Sequence, residues 1–315
     1  MKYRHLGSTG VKVSTVSLGS WLTYGGYVAQ ENAISTIHKA YDLGINFFDT
    51  ANVYMRGEAE KVVGKAIKAF PREAIVLSTK VFFPMGDGPN DHGLSRKHIM
   101  EQANASLKRL NTDYIDLYYC HRFDPETPIE ETLRAFDDLI HQGKINYIGV
   151  SQWTAAQITE AAHIADQKLL NHFVANQSKY NMLSREIEAE VIPSSAAHGV
   201  SQVCWSPLAQ GVLTGKYSSV SEFPAGSRAA ENKGGIRTYL TELNLSKVNK
   251  LKKIAAELGV SMAQLALAWV LRQEQVASVV VGASKTEQIV DNAKAADLIL
   301  DSETERRIEE ILSAE

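Results

Sequence analysis

INFFDT (45–50), AIVLSTK (74–80) and DYIDLYYCH (113–121) are the stretches whose reading decides the fold. Each is a short apolar run of the kind that forms a strand buried on both faces. Each also stops at a polar side chain. Asp49, Lys80 and His121 stand at the ends of the runs, and Tyr54 lies just beyond the first. Parallel neighbouring strands bring their C-terminal ends to one side, so an acid, an ammonium, an imidazole and a phenol are predicted to meet in one small space. Taken singly, each has a structural alternative: Asp49 a helix cap or ion-pair partner, Tyr54 a loop aromatic, Lys80 a strand-end surface charge, His121 a hydrogen-bonded core histidine. Their place at the ends of successive strands favours a shared proton-donating site for carbonyl chemistry.

Working outward, TVSLGSW (15–21) precedes these runs, and INYIGVS (145–151), HFVANQSKY (172–180), VSQVCWSPL (200–208) and SVVVGAS (278–284) follow, making eight strand candidates. Helix-period segments alternate with them, among them NAISTIHKAYDLG (32–44), SRKHIMEQANASLKRL (95–110) and IEETLRAFDDLIHQG (129–143). In the second, Ile99, Ala103, Leu107 and Leu110 share one helical face. Ser95 is a helix start signal, and Gly44 and Gly143 are stop signals. The pattern predicts an α/β chain folded as a (β/α)₈ TIM barrel, one domain over residues 1–315. It is preceded by a β-hairpin in YRHLGSTGVKV (3–13) and carries long loops at its C-terminal face. A doubly wound sheet is the runner-up, but GSTG (7–10) is too short and too early for a dinucleotide-binding turn.

Of 315 residues, 44% are hydrophobic and 22% charged, and the formal net charge is −3 without long runs of either sign. That composition supplies a large core and gives no support for a nucleic-acid or anionic-membrane surface. The two cysteines, Cys120 and Cys204, lie inside apolar runs and read as reduced buried thiols rather than a disulfide or metal pair. No metal site is predicted. With no secretory leader pattern and no apolar run of membrane-spanning length, a cytoplasmic protein is expected.

Two connections are long. FFPMGDGPNDHG (82–93) follows the third strand candidate, and the stretch from Ala209 to about Leu245 follows the seventh. Both leave strand C-termini, where such barrels place their chemistry. The second carries Lys216 and Arg228 on Gly-rich segments, GVLTGKY (211–217) and PAGSRA (224–229): together a pair of cations fit to grip an anionic cofactor and fold over it, singly just as well solvated charges on a floppy loop. At the strand ends, Tyr54 suits the role of proton donor, although a free phenol has a pKa of about 10. An ammonium at Lys80 is expected to lower that pKa, a carboxylate at Asp49 to hold the ammonium, and His121 to orient the substrate oxygen. Trp21, Tyr24, Phe82 and Phe83 either wall the substrate pocket beside Tyr54 and His121, accepting an apolar or aryl group, or simply pack the barrel mouth.

At this point the motifs carry a family resemblance. FDTANVY (48–54), STK (78–80), YYCH (118–121), GKINYIGVSQW (143–153), NQSKYNML (176–183), WSPLAQGVLTGKY (205–217) and VVGASKTEQIVDN (280–292) occur in the order found in the aldo-keto reductases, and the chain resembles that superfamily over essentially its whole length. LGSWLTYGG (18–26), with the last two blocks, most resembles the branch of voltage-gated potassium channel β-subunits and their bacterial relatives. The resemblance implies a (β/α)₈ barrel that binds NADPH/NADP⁺ without a Rossmann domain, and a tetrad of Tyr54, Lys80, Asp49 and His121. It also implies nicotinamide contacts at Trp21, Asp49, Ser151, Gln152, Gln177 and Trp205, and pyrophosphate contacts at Ser206, Leu208, Gly211, Lys216 and Arg228. The 2′-phosphate end falls to Ser284, Lys285 and Gln288, with Gly282 in the same cofactor set and Asn292 near the adenine. Strand end and helix start meet in GASKTEQ, so backbone N–H groups there suit an anion.

The chain departs from the family pattern in places. Eight residues separate Ala51 from Glu60, where the family signature has fewer, and SQW (151–153) replaces Ser-Asn-aromatic. Gln288 stands where many members carry an arginine, whereas His121, absent from some channel-type members, is kept. The leading expectation is an NADPH-dependent reductase of a small aldehyde or ketone. The second is an NADP(H)-binding, redox-sensing subunit of a membrane channel with little turnover, and the third a lyase using Lys80 as a Schiff base. Membrane insertion is not expected. Members of this branch often form tetramers or larger rings, so a homo-oligomer is within expectation.

Overall fold

The computed structural model describes residues 1–26, 28–232 and 234–314. Ten strands run β1 (Tyr3–His5), β2 (Lys12–Ser14), β3 (Val16–Gly19), β4 (Phe47–Asp49), β5 (Val76–Val81), β6 (Ile115–Cys120), β7 (Ile145–Ser151), β8 (Phe173–Lys179), β9 (Ser201–Trp205) and β10 (Val276–Val281). Ten α-helices accompany them: α1 (Gln30–Asp42), α2 (Glu58–Ile67), α3 (Arg96–Leu110), α4 (Ile129–His141), α5 (Ala155–Lys168), α6 (Val191–Ala197), α7 (Glu242–Glu257), α8 (Met262–Leu271), α9 (Thr286–Ala293) and α10 (Ser302–Ser313). β3 to β10 pair in parallel and close on themselves in sequence order, with β10 against both β9 and β3. This is the predicted (β/α)₈ barrel. All eight strand candidates are present, and the largest displacement is the last, which begins at Val276 and ends at Val281.

Alternation along the strands divides the core in two. Leu117 and Tyr119 of β6, Phe47, Val76, Ala175 and Val203 fill the lumen, whereas Tyr118, Cys120, Phe48 and Leu77 pack outward under the helices. Each fully buried side chain of this size contributes roughly 1.5–3 kcal/mol, so the lumen is a packed core rather than a pore. The antiparallel pair β1–β2 plugs the N-terminal end of the barrel with Leu6 and Val13. Its turn is locked by the Gly7 N–H on the Ser201 hydroxyl at the start of β9, at 2.7 Å. Gly7 has φ +59°, and a Cβ there would lie 2.5 Å from the carbonyl oxygens of Gly199 and Val174, so no larger residue fits.

The helix signals act as expected. The Ser95 hydroxyl accepts the His98 N–H at the start of α3. After α1 the Gly44 N–H reaches the Tyr41 carbonyl and the Ile45 N–H the Ala40 carbonyl, and Gly143 and Lys144 repeat the arrangement after α4. Ile99, Ala103 and Leu110 are buried, and Leu107 packs on them partly covered. α8, MAQLALAWVL, is apolar nearly all round and buried throughout against β10 and its neighbouring helices. Among the described residues no single helix is long and apolar enough to cross a membrane.

The N-terminal end is plugged, and at the C-terminal end the period of two continues into polar residues. Beyond the lumen side chains come Asp49 on β4, Ser78 and Lys80 on β5, His121 after β6, Ser151 on β7, Gln177 on β8 and Trp205 on β9. The register sets them at a common level: Asp49 pairs with Ser78, Lys80 with Tyr119, and Ser151 with Gln177.

Candidate active site

Asp49 and Lys80 form a buried ion pair at the centre of this end, 3% and 0% exposed, with Lys80 Nζ 2.6 Å from Asp49 Oδ2. The same Nζ donates to the Thr50 carbonyl at 2.7 Å and to the Tyr54 hydroxyl at 3.4 Å. Asp49 Oδ1 accepts from the Ser78 hydroxyl at 2.6 Å and from Gln177 Nε2 at 2.9 Å. With both carboxylate oxygens engaged, the acid is held in one orientation. The Tyr54 ring meets the His121 ring edge-on at 5.6 Å, and Phe83 flanks His121 at 4.9 Å. Four side chains from the ends of three strands, predicted to converge, do so.

Tyr54 reaches the site through an unusual turn. Met55 (φ +49°) and Arg56 (φ +52°) are left-handed non-glycine residues, followed by Gly57 at φ +93°. Such conformations cost free energy and persist where the surroundings enforce them. The long interval between Ala51 and Glu60 is taken up by this turn, which directs Tyr54 inward before α2 begins.

The electrostatics differ from expectation at one point. Burial raises the Tyr54 pKa above its ordinary value, and the downward pull of Lys80 and Arg122 does not overcome it. The expected lowering by Lys80 is thus outweighed by loss of solvent, and the phenol is held protonated at neutral pH. Burial also opposes the charge on Lys80, but Asp49 and Tyr54 outweigh it and raise its pKa, keeping the ammonium. Burial, then Lys80 and Arg122, push the His121 pKa well below the ordinary value, so the imidazole is neutral, and its Nδ1 is buried without a hydrogen-bond partner among the described residues.

The residues assigned to a cofactor line an arc from β7 round to α9. The Ser151 hydroxyl donates to the Gln177 carbonyl at 2.9 Å, and Gln152, left-handed at φ +61°, accepts the Lys179 N–H on its side-chain oxygen at 2.8 Å. Trp205 and Leu208 are partly exposed. The Ser206 hydroxyl accepts from Gln210 Nε2 at 2.9 Å, while Gln210 Oε1 accepts from Arg228. Lys216 stands over the Tyr217 ring, its Nζ 3.6 Å from where a Cβ on Gly211 would be. The loop after β9 crosses the mouth: a Cβ on Gly234 would sit 3.4 Å from Trp21 and 3.1 Å from Gln210 Oε1. Trp21 is 37% exposed. Gly282, Ser284, Lys285 and Gln288 lie exposed at the end of β10 and the start of α9, with Asn292 buried in that helix. Gln288 Oε1 accepts the backbone N–H groups of Ser284 at 2.8 Å and Lys285 at 3.3 Å, so these donors already have an acceptor.

Not every expected residue faces the opening. Tyr24 is 1% exposed and belongs to the core beneath the helices, so the structure does not bring it to an open wall. Phe82 and Phe83 are partly exposed at the mouth, where the Gly93 N–H bonds the Phe82 carbonyl and closes the 82–93 loop at its base. Cys120 and Cys204 are buried and unpaired. Three participants escaped the sequence reading. Ser78 was detectable as the residue two before Lys80 on the same strand face. The Thr50 carbonyl carries no side-chain signal. Arg122, beside His121, lies where strand alternation points outward, yet its Nη1 donates to the His121 carbonyl at 2.6 Å and to the Ser151 hydroxyl at 3.5 Å.

The Aldo/keto reductase family model matches residues 15–313. The chain is 48% identical over 304 residues to an Arabidopsis thaliana protein named "Probable voltage-gated potassium channel subunit beta", covering 95% of this chain and 92% of that protein. It is 47% identical over 304 residues, at the same coverage, to a protein of the same name from Oryza sativa subsp. japonica. With a closed eight-stranded barrel carrying a buried Asp–Lys–Tyr–His constellation at its open end, and a family match from the first barrel strand to the last helix, the chain belongs to the aldo/keto reductase family and is an oxidoreductase of that type.

Proposed function

We propose that the protein reduces the carbonyl of an aldehyde or ketone with NADPH, Tyr54 giving the proton. The observation that carries this reading is the buried Lys80 ammonium, held by Asp49 at 2.6 Å and within 3.4 Å of the Tyr54 hydroxyl at the barrel mouth. A protonated phenol donates, and the phenolate left behind is stabilised by the adjacent ammonium in a site with little water to screen it. Neutral His121 orients the carbonyl oxygen by hydrogen bonding.

The residues of the mouth suit NADPH. Lys216 and Arg228 have no carboxylate partner among the described residues, and Gly211, at φ +101°, leaves open the space a Cβ would take. Ser151, Gln152 and Gln177 present amide and hydroxyl groups at adjoining strand ends, and Trp205 offers a ring face beside them. Ser206, Leu208, Gly211, Lys216 and Arg228 would hold the pyrophosphate, and Ser284 and Lys285 the 2′-phosphate, with Gln288 releasing the N–H groups it now occupies. NADPH, when bound, supplies the hydride.

The relatives' printed name favours a second reading, an NADP(H)-binding subunit of a membrane channel with low turnover. The complete tetrad, His121 included, argues for turnover. A Schiff-base role for Lys80 is opposed by the ion pair and the raised pKa, which keep its nitrogen protonated. The deciding experiment follows NADPH absorbance with purified protein and a panel of small and aryl aldehydes. Steady consumption is expected. Tight NADPH binding by fluorescence without consumption would transfer the assignment to the regulatory reading.

A further inference from the structure

The charges around the carbonyl-binding space do not sum to zero. Asp49 and Lys80 cancel, Tyr54 and His121 are neutral, and Arg122, in contact with His121, adds a positive charge. Its Nη1 is occupied by the His121 carbonyl and the Ser151 hydroxyl, but Nε and Nη2 have no hydrogen-bond partner among the described residues. Nor does any carboxylate among the described residues pair with it. The acid nearest in sequence, Asp124, spends both oxygens elsewhere, on the N–H groups of Leu94 (2.7 Å) and Glu126 (3.0 Å) and the Thr127 hydroxyl (2.8 Å). The guanidinium stands 5.4 Å from the centre of the Phe83 ring, and Phe83 lies 4.9 Å from His121, so one apolar ring flanks both the cation and the imidazole.

A half-buried guanidinium without a counter-ion is costly unless an anion completes it, and its planar fork fits an oxyanion. Resting on the reductase reading, we propose that Arg122 is the specificity-determining residue for a short carbonyl substrate that carries its own anionic group, a carboxylate or a phosphate, a few atoms from the carbonyl. The anionic group is a spectator: R–CHO + NADPH + H⁺ gives R–CH₂OH + NADP⁺, with the charge retained in R. The apolar spacer lies along Phe83.

The test compares kcat/KM for pairs with the same carbon chain, with and without the anionic group: succinic semialdehyde against butanal for the carboxylate, glycolaldehyde phosphate against glycolaldehyde for the phosphate. The anionic member of at least one pair is expected to be favoured by about tenfold to a hundredfold, the worth of a charge-assisted hydrogen bond. In Arg122→Gln the ratio falls towards unity through KM, and in Arg122→Lys it is only partly lost. The wild-type ratio decides even if a variant folds poorly. Calorimetry with 4-hydroxybutyrate against 1-butanol reads the same site without turnover. Equal kcat/KM within both pairs would overturn the Arg122 assignment and leave the reductase standing. Preferential binding of 4-hydroxybutyrate without reduction of any aldehyde would do the reverse. An Arg122→Gln variant that weakens NADPH binding while keeping the anion preference would place Arg122 on the cofactor instead.

Discussion

Strand β5 separates two buried pairs of opposite charge built from the same ingredients. On its lumen side Lys80 meets Asp49, with the Ser78 hydroxyl and Gln177 amide completing the carboxylate. On its helix side, one residue earlier, the Thr79 hydroxyl donates to Glu60 Oε1 at 2.6 Å, and Arg109 from α3 pairs with Glu60 Oε2. Glu60 is fully buried, and Arg109 also reaches the Ser106 hydroxyl at 3.1 Å. The outer cluster is closed: its acid is satisfied by a strand and a helix, and it ties β5, α2 and α3 together. The inner cluster ends in groups left open, the Tyr54 hydroxyl and the His121 ring. Buried charge serves packing where every valence is met, and chemistry where the last one faces an opening.

The largest effect should come from the open end of the inner cluster. Tyr54→Phe removes only the donor proton, and kcat is expected to fall by about 10²–10⁴ with NADPH binding and thermal stability nearly unchanged. Wild-type turnover in that variant would break the comparison at its centre. Next is Glu60→Gln on the outer side, which strands Arg109 and should cost about 3 kcal/mol of stability in urea unfolding, at the low end for a broken buried pair because Arg109 is 17% exposed. At temperatures where the variant is folded, kcat should change little; a kcat loss as large as that of Tyr54→Phe would show that the outer cluster is not merely structural.

Gly57 joins the two. It closes the left-handed turn after Tyr54, and a Cβ there would lie 2.6 Å from Arg109 Cδ. Gly57→Ala should therefore cost roughly 1–3 kcal/mol of stability and lower kcat at the same time, a coupled loss that neither cluster alone produces. The smallest effect is that of pH. The donor form of Tyr54 exists below a pKa that burial holds above the usual value, and neutral His121 exists above one that burial depresses. Reduction should accordingly be level between about pH 7 and 9, falling on the alkaline side as the phenol ionises and on the acid side only below the depressed His121 pKa. A rate that dropped through neutral pH would mean that solvent or Lys80 outweighs burial at Tyr54.

Much of this was legible in the chain. Runs such as AIVLSTK and DYIDLYYCH carry apolar residues on both faces, which only a strand covered on both sides tolerates, and the polar residue closing each run marks where the barrel ends. From that follow the barrel and the convergence of Asp49, Lys80 and His121. Strand ends are less legible: SVVVGAS reads past the end of its strand because Gly282 and Ala283 continue the apolar appearance after the hydrogen bonding has stopped. Tyr24 resembled a mouth aromatic but folds into the core, and Arg122 lay on the wrong strand parity until the chain left β6.

The pattern of apolar and polar residues alone determined which side chains would gather at the open end, because alternation and parallel pairing are local rules that a sequence obeys everywhere. Only the tertiary structure decided what those side chains are in that place. The protonated Tyr54, the neutral His121, the charge left over on Arg122 and the occupied N–H groups at Gln288 depend on burial and on distances between segments remote in sequence. Electrostatic energy is set by surroundings in space, not by order along the chain.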